Sequence, residues 1–477
     1  MNAKASFYKW HRAFGLIALV PVIFWTLSGL SHPFMSNWFR PYIPVEVYKA
    51  PVQSKLKPQL SIQQVLDTNH ITEIRNFGLV SFNHKSFYQV LEKDSVYRYY
   101  SADVARELKG GDRIYAEWLA RYFTKDSTSA IASITLQKTF DGQYQPINHL
   151  LPVWKVSFNR PDGMDVYIET GQSRMGTFNN HTRKTLLWVF EQFHTWDFLA
   201  KMAGDTFRNA FLFCIVCIMF CSLVTGLTIY GLFWKKFKTA AQNRKANGRD
   251  DKRFLHRYHR QIGLYVSFVM LTFFVSAGFH LFVKLHNTDA EKAPYQPLIK
   301  RSYLQISNLK LSTADSLIVK TGLASFSGHN YYQVSTVKKE VLYFDTQTGA
   351  ELKNGDKAFA AFLSNYYRPQ PVKGNVEITQ IRQFDNEYGF INKRLPVQKV
   401  SYPDNQNWYI ETTTAKLATK VNSLDKAEGF SFIFLHKFFY MAWAGKDIRD
   451  IVSMLAAMGV LVVSVLGFLS FLKNKYQ

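Results

Sequence analysis

Two apolar segments of membrane length carry a histidine at each end, with the same spacing in both. The first, WHRAFGLIALVPVIFWTLSGLSH, runs from Trp10 to His32; the second, YHRQIGLYVSFVMLTFFVSAGFH, runs from Tyr258 to His280. His11 and His32 are 21 residues apart, as are His259 and His280, and the second segment begins 248 residues after the first. A titratable side chain at a membrane border is costly and therefore points to function. Its recurrence at a fixed offset points to an internal repeat.

Four stretches lack Asp, Glu, Lys and Arg: Ala13–Phe39, Asn209–Trp234, Gln261–Val283 and Ile451–Leu472. Each is long enough to cross a hydrocarbon core of about 30 Å as a helix. The expected fold class is a membrane α-helical protein with four transmembrane helices, duplicated about a pseudo-twofold axis, and two outer α+β domains. The expected segments are an N-terminus with the first helix (1–40), a first outer domain (41–207), a second helix (208–234) and a basic loop (235–260). A third helix (261–284), a second outer domain (285–448) and a fourth helix with the C-terminus (449–477) follow. The first span is expected to stay in place, because its apolar run is long and no small-x-small cleavage site follows it.

Basic residues near the spans set the expected orientation. Lys4, Lys9 and Arg12 precede the first span, Lys473 and Lys475 follow the last, and the stretch 234–260 holds ten Lys/Arg against two Asp. These segments belong on the cytoplasmic side, which places both polar regions outside it. Topology accounts for the basic loop, so nucleic acid is not an expected partner; the lipid bilayer is. Outside the cytoplasmic segments 43 of the 58 Lys/Arg stand against 33 of the 35 Asp/Glu, a basic balance that would attract an anionic substrate, although solvated surface charge explains it equally well.

The repeat extends through the polar regions. SFYQV (86–90) answers NYYQV (330–334), ELKGGD (107–112) answers ELKNGD (351–356), and FDGQYQPIN (140–148) answers FDNEYGFIN (384–392). LPVWKVSF (151–158) answers LPVQKVSY (395–402), and VYIET (166–170) answers WYIET (408–412). Both halves start and end inside, so the axis runs along the membrane normal. SIQQVLDT and STADSLIVKTG open with Ser ahead of an apolar period, as helix N-caps do. FYQVLEKDSVYRYY and YYQVSTVKKEVLYF read as hairpins.

Six histidines fall in matched positions: His11 with His259, His32 with His280, and His194 with His436. His70, His149, His181, His256 and His286 have no counterpart and are read as solvated or local residues, and His84 and His329 as surface residues. A twofold axis turns one histidine into two facing ones, which suits a planar porphyrin whose iron takes two axial imidazoles. Phe24, Trp25, Phe268, Phe273 and Phe274 offer aromatic walls for such a slot. Along a helix, 21 residues rise about 31 Å and stop roughly 60° short of whole turns, which puts His11 and His32 at opposite surfaces on the bundle side. Zinc is the rival metal, but paired histidines without neighbouring carboxylates or thiolates are thin for a closed tetrahedral site. Cys214, Cys217 and Cys221 share one helical face and are expected to pack between helices. No HExxH, P-loop, Ser–His–Asp or Rossmann pattern occurs.

YYQVSTVKKEVLYFDTQTGAEL resembles the PepSY module, a small helix-plus-sheet domain ending in a "yvDp.tGe" turn; in the first half, YSADVARE lacks that glycine. Together with the starts His11-Arg12…Gly15 and His259-Arg260…Gly263, the downstream histidines and FLHKFFY, the whole chain resembles the PepSY-associated transmembrane helix family. The resemblance implies an inner-membrane haem b protein, with two haems, that reduces a ferric siderophore or other iron chelate in the periplasm. It implies His11, His32, His194, His259, His280 and His436 as cofactor-binding, iron-ligating residues, with the pairing open and no catalytic residue identified. With no flavin or nicotinamide motif in the chain, the expected electron donor is a quinol or a cytoplasmic reductase. Two other readings stay in view. PepSY-like domains also serve as inhibitory or binding modules, which would make this a non-catalytic scaffold or regulator. A metal or haem permease would need polar residues in mid-span, and the spans hold few.

Overall fold

The computed structural model describes residues 3–43, 49–52, 58–247, 254–286, 292–305, 318–368, 370, 372 and 374–475. The chain opens with α1 (Ala3–Pro33), α2 (Ile62–Thr68), β1 (Glu73–Ile74), β2 (Asn76–Phe82), β3 (Lys85–Leu91), β4 (Tyr97–Ser101) and β5 (Glu107–Leu108). Next come α3 (Gly111–Thr124), β6 (Ile131–Gln137), β7 (Val153–Phe158), β8 (Asp165–Glu169), β9 (Arg174–Asn179), α4 (His181–Phe190) and α5 (Asp197–Leu232). After α6 (Trp234–Asn247) the order recurs with α7 (Phe254–His286), β10 (Ile299–Lys300), β11 (Ile318–Phe326), β12 (His329–Thr336) and β13 (Val341–Asp345). It ends with α8 (Gly355–Tyr367), β14 (Glu377–Ile381), β15 (Val397–Ser401), β16 (Asn407–Glu411), β17 (Lys416–Val421), α9 (Ser423–Ser431) and α10 (Lys446–Lys475).

Contacts divide the chain into two compact units, one of residues 1–40, 182–290 and 424–477 and the other of 41–181 and 291–423. The cuts fall at 181/182 and 423/424 rather than at the borders of the apolar stretches, so α4 and α9 go with the long helices. In the first unit four helices are long and apolar enough to cross a membrane: Ser6–Trp38, Asp197–Leu232, Phe254–His286 and Lys446–Lys473. α1 packs against α5 and α10, and α7 packs against the same two. Ala18, Val22, Leu212, Ile215, Val216, Met219, Phe274 and Leu281 fill the centre. Part of the expected basic loop is helical, as α6.

The second unit holds the sheets. β2-β3-β4-β5 and β11-β12-β13 form one matched pair of sheets, and β6-β7-β8-β9 and β14-β15-β16-β17 another, all antiparallel. The two polar regions, expected as separate domains, share a core: Ile62, Val65, Leu66, Phe77 and Tyr88 pack in one cluster with Ile299, Leu304, Leu323 and Tyr332. β1 pairs with β10. Side chains stitch β2 to β11, with Leu79 N–H donating to Thr321 Oγ1 (3.0 Å) and Leu323 N–H to Asn76 Oδ1 (2.7 Å). Ser61 caps α2 as expected, in a capping box with Gln64. The second expected cap, in STADSLIVKTG, lies mostly outside the described residues, and the part from Ile318 onward is strand.

The segments that repeat in sequence meet in space. Buried Gln89 donates through Nε2 to Tyr99 Oη (2.6 Å) and Thr170 O (3.1 Å), and Tyr99 donates to Asp112 Oδ1 (2.9 Å). In the second half Gln333 donates to Tyr343 Oη (2.7 Å) and Thr412 O (3.2 Å), and Tyr343 donates to Asp356 (3.0 Å). Burial pushes both aspartate carboxyls up. The glutamates of the two YIET segments are also buried. Arg174 bridges Glu169 and Glu411, and Arg394 donates to Glu411 at 2.6 Å. The turn after β13 is built on Asp345 Oδ1, which accepts from Gln347 and Thr348 N–H, with Gly349 at φ 73°. In the first half Ala105 takes the left-handed conformation at φ 58°, so the turn forms without the glycine.

The glycine before each aspartate is a matter of space. A Cβ on Gly111 would lie 2.6 Å from Tyr99 Cβ, and one on Gly355 would lie 2.8 Å from Tyr343 Cβ. Gly111→Ala and Gly355→Ala are each expected to destabilise the unit by about 1–3 kcal/mol, the cost of overpacking a tight core. Denaturant unfolding followed by tyrosine and tryptophan fluorescence checks this, with Gly110→Ala, where nothing lies within 4 Å, separating packing from backbone effects.

Candidate functional site

His11 and His259 lie near the N-terminal ends of α1 and α7, with ring centroids 6.2 Å apart and ring planes 45° apart. His11 Nδ1 is 2.9 Å from Ser222 O on α5, and His259 Nδ1 is 2.9 Å from Val463 O on α10. A carbonyl only accepts, so Nδ1 carries the proton in both rings and Nε2 keeps its lone pair. A Cβ on Gly15, one turn beyond His11, would lie 3.7 Å from Ser222 Oγ, and one on Gly263 would lie 3.7 Å from Val463 Cγ1, both ordinary contact distances. Arg12 lies over the Phe471 ring (4.4 Å) and Arg260 over Phe237 (4.0 Å). His256, one turn from His259, is exposed.

The helices that accept these bonds are notched to hold the rings. A Cβ on Gly226 would come within 2.9 Å of His11 Cε1, and one on Gly467 within 2.9 Å of His259 Cε1. Each imidazole thus rests against bare backbone, in a cradle that alanine would fill.

The other four histidines gather toward the far ends of α1 and α7. His194 and His436 each sit on a single π-helical turn, Glu191–Thr195 and Phe432–His436, a departure from regular helix that often marks functional positions. Two residues on, Trp196 (φ 52°) and Phe438 (φ 50°) are left-handed, and Gly204 and Gly445 break the chain before the long helices resume. Left-handed aromatic residues are strained, and such strain persists where surrounding structure enforces it. Phe190 stacks on His194 (4.4 Å) and contacts His32 (5.7 Å), while Phe432 stacks on His436 (4.9 Å) and contacts His280 (5.3 Å). Burial first, then His32, pushes His194 down to about 4. Burial first, then His194, Lys437, His280 and His32, pushes His436 down to about 3. Both are therefore neutral, ligand-competent imidazoles at physiological pH.

Partners at Nδ1 differ among these four. His194 meets Ser28 Oγ at 3.1 Å, His32 meets Ser36 Oγ at 3.4 Å, and His280 meets Glu428 Oε1 at 2.6 Å. Ser276 occupies the place of Ser28 in the second half, yet Ser276 Oγ and His436 Nδ1 are both buried with no partner among the described residues. Of the expected aromatic walls, Trp25 donates to His194 O (2.9 Å), Phe273 contacts His436 (5.1 Å), and Phe24 and Phe274 pack in the helix core. Phe268 does not serve, being 69% exposed on the outward side of α7. The three cysteines are likewise exposed rather than packed between helices: their shared face is the one α5 turns away from its neighbours. His149, read as solvated or local, is half-buried, and burial, then Arg394 and Lys393, pushes it down to about 4. Gly226, Gly467, Phe190, Phe432 and Glu428 escape sequence reasoning. Only Phe190 and Phe432 carry a signal, standing four residues before His194 and His436 alike.

Donor nitrogens paired across a helical bundle in two tiers, in a chain with four apolar helices and small α+β sheets, define a histidine-bearing multi-pass membrane protein. The chain belongs to the PepSY-associated TM region family, whose model matches residues 77–473. A comparison with curated proteins gave no match.

Proposed function

We propose that this protein is a transmembrane haem b electron carrier that reduces ferric siderophores or other iron chelates on the outer side of a bacterial inner membrane. The observation that carries the proposal is the His11–His259 pair. His11 and His259 would hold the iron through their Nε2 atoms. Their ring centroids lie 6.2 Å apart, and both Nδ1 protons are held by carbonyls, the bond typical of ligating histidines. The glycine cradles supply the fit on the outer side of each ring. Among the described residues no three His, Cys, Asp or Glu side chains come together as a metal site, so the donors suit a group that takes two ligands at a time.

In this reading the two halves are copies about an axis along the membrane normal, and the first tier lies at the cytoplasmic border. Haem b supplies one-electron transfer between its ferric and ferrous forms. The chain's own residues orient the imidazoles, keep water out with Phe24, Trp25, Phe273 and Phe274, and hold His32, His194, His280 and His436 as ligands for a second group. A quinol or a cytoplasmic reductase gives the electrons, one for each ferric ion reduced. Reduction loosens the chelate, because its oxygens prefer the harder ferric ion. A non-catalytic scaffold has no use for Gly226 and Gly467 opposite the imidazoles.

Purified full-length protein is expected to show a b-type reduced-minus-oxidised spectrum; a colourless preparation favours the scaffold. His11→Ala and His259→Ala should each lose haem or convert it to a high-spin form to the same extent, and the double variant should add little, since both act on one site. His256→Ala should leave the spectrum unchanged.

Gly226→Ala and Gly467→Ala should mimic the histidine losses in part by pushing the ring off its carbonyl, about a 10–100-fold loss of haem affinity when the bond that orients a ligating histidine is lost. Haem titration of the apo-protein reads this.

Sidedness follows from the basic bias. Reporter fusions at Gly111 and Gly355 should behave as periplasmic and one at Asn247 as cytoplasmic; a cytoplasmic signal at Gly111 reverses the proposed direction of electron flow.

A further inference from the structure

His32 and His280 answer each other in the repeat, yet they are held differently. His32 Nδ1 lies 3.4 Å from a serine hydroxyl one turn away on its own helix. His280 Nδ1 lies 2.6 Å from the Glu428 carboxylate, 148 residues away in sequence on α9. Both partners are largely shielded, with side-chain exposures of 32% for His280 and 19% for Glu428. Counting back eight residues from each π-turn histidine gives Glu428 in the second half and Leu186 in the first. The serine is exchanged too: Lys284 stands where the first half has Ser36, and it lies within electrostatic reach of Glu428. An apolar and a neutral residue in one half are thus replaced together by an acid and a base in the other. The short contact Glu428 makes is to the imidazole nitrogen.

A carboxylate that accepts the Nδ1 proton pushes electron density toward Nε2, and a stronger nitrogen donor stabilises ferric over ferrous iron. A backbone carbonyl, the acceptor for His11 and His259, does this more weakly, and the Ser36 hydroxyl at 3.4 Å more weakly still. We infer that Glu428 is a positioning residue that makes His280 the strongest donor among the six histidines and lowers the reduction potential of the iron His280 holds. The inference rests on the haem reading above. It gives the outer centre the reducing power that a tightly bound ferric ion demands, and it confines that tuning to one half of an otherwise matched pair.

The test is an optical redox titration of the full chain in detergent, wild type against Glu428→Gln, which keeps the shape and removes the charge. Haem content should be unchanged. One component of the titration should rise by about 59 mV, corresponding to a tenfold change in relative ferric-to-ferrous affinity for a one-electron couple, and the other should stay in place. Leu186→Glu, which offers His32 the same partner, should lower a potential by a similar amount. Should Glu428→Gln lose haem, Glu428→Asp restoring both haem and the low potential supports the role, and Asp failing to restore them overturns it. Unmoved potentials with full haem content also overturn it and leave the haem reading standing. A wild-type protein without b-type absorbance overturns the haem reading and this inference with it.

Discussion

Much of the helical unit follows from one bond made twice, from a histidine Nδ1–H to the carbonyl of a facing helix. Ser222 O and Val463 O lie inside helices, where the i+4 amide already uses one lone pair; the imidazole turns to the second, which at Ser222 O also lies 3.0 Å from the Thr225 hydroxyl. An imidazole N–H left unpaired in an apolar bundle costs about 1–3 kcal/mol, which makes this arrangement sharply preferred. The bond requires α1 to lie close to α5 and α7 close to α10. Gly226 and Gly467 make room for the rings, where a Cβ would come within 2.9 Å of Cε1. The same bond fixes the tautomer, so the constraint that packs the helices also leaves Nε2 as the lone-pair nitrogen of each ring.

The unit of sheets rests on a different solution to the same difficulty of burying polar groups. Its repeated segments supply a closed set of donors and acceptors, in which glutamine binds tyrosine and tyrosine binds aspartate. Trp154 completes the Asp112 end at 2.6 Å, and Gln398 takes that place at Asp356. Where charge is buried it is paired, as in the chain Glu169–Arg174–Glu411–Arg394. Breaking one member of such a chain leaves an uncompensated charge. Lys320, standing where the first half has Asn76, has the weaker company of Gln89 Oε1 at 3.5 Å, and burial pushes it down to about 8.

What was legible in the sequence is what repeats or depends on neighbours along the chain. Charge-free runs marked the four long helices, Ser61 and Gln64 marked a cap, and the constant offset of 248 paired His11 with His259 before any contact was known. Residues whose role depends on distant contacts were hidden. Glu428 reads as an exposed acid of a polar helix until His280 is found beside it. Phe268 and the three cysteines were misjudged because an all-apolar helix gives no periodic signal telling a lipid-facing side from a bundle-facing one. The shared core of the two polar regions was hidden as well, because Phe77 meets Tyr332 across more than two hundred residues, and the short pairing of β1 with β10 and the bonds between β2 and β11 leave no local pattern.

On the proposed reading, with a twofold axis along the membrane normal, the two ends of the bundle would already differ and direction would need no further asymmetry. Differences between the halves at one level would then serve another purpose. Trp25 and Trp196 are answered by Phe273 and Phe438, Leu186 by Glu428, Ser36 by Lys284, and Asn76 by Lys320. The first tier, by contrast, is matched down to its carbonyl bonds and glycines. In the proposed reading the first tier would only accept electrons, and nothing would press its two histidines to differ. The second tier would hand them to a substrate that approaches from one direction, where the equivalence of the halves would have no value. The exchanges at Leu186/Glu428 and Ser36/Lys284 fall in this second tier, so on the proposed reading the repeated scaffold would supply the ligands while its departures from symmetry would adjust the end that meets the substrate.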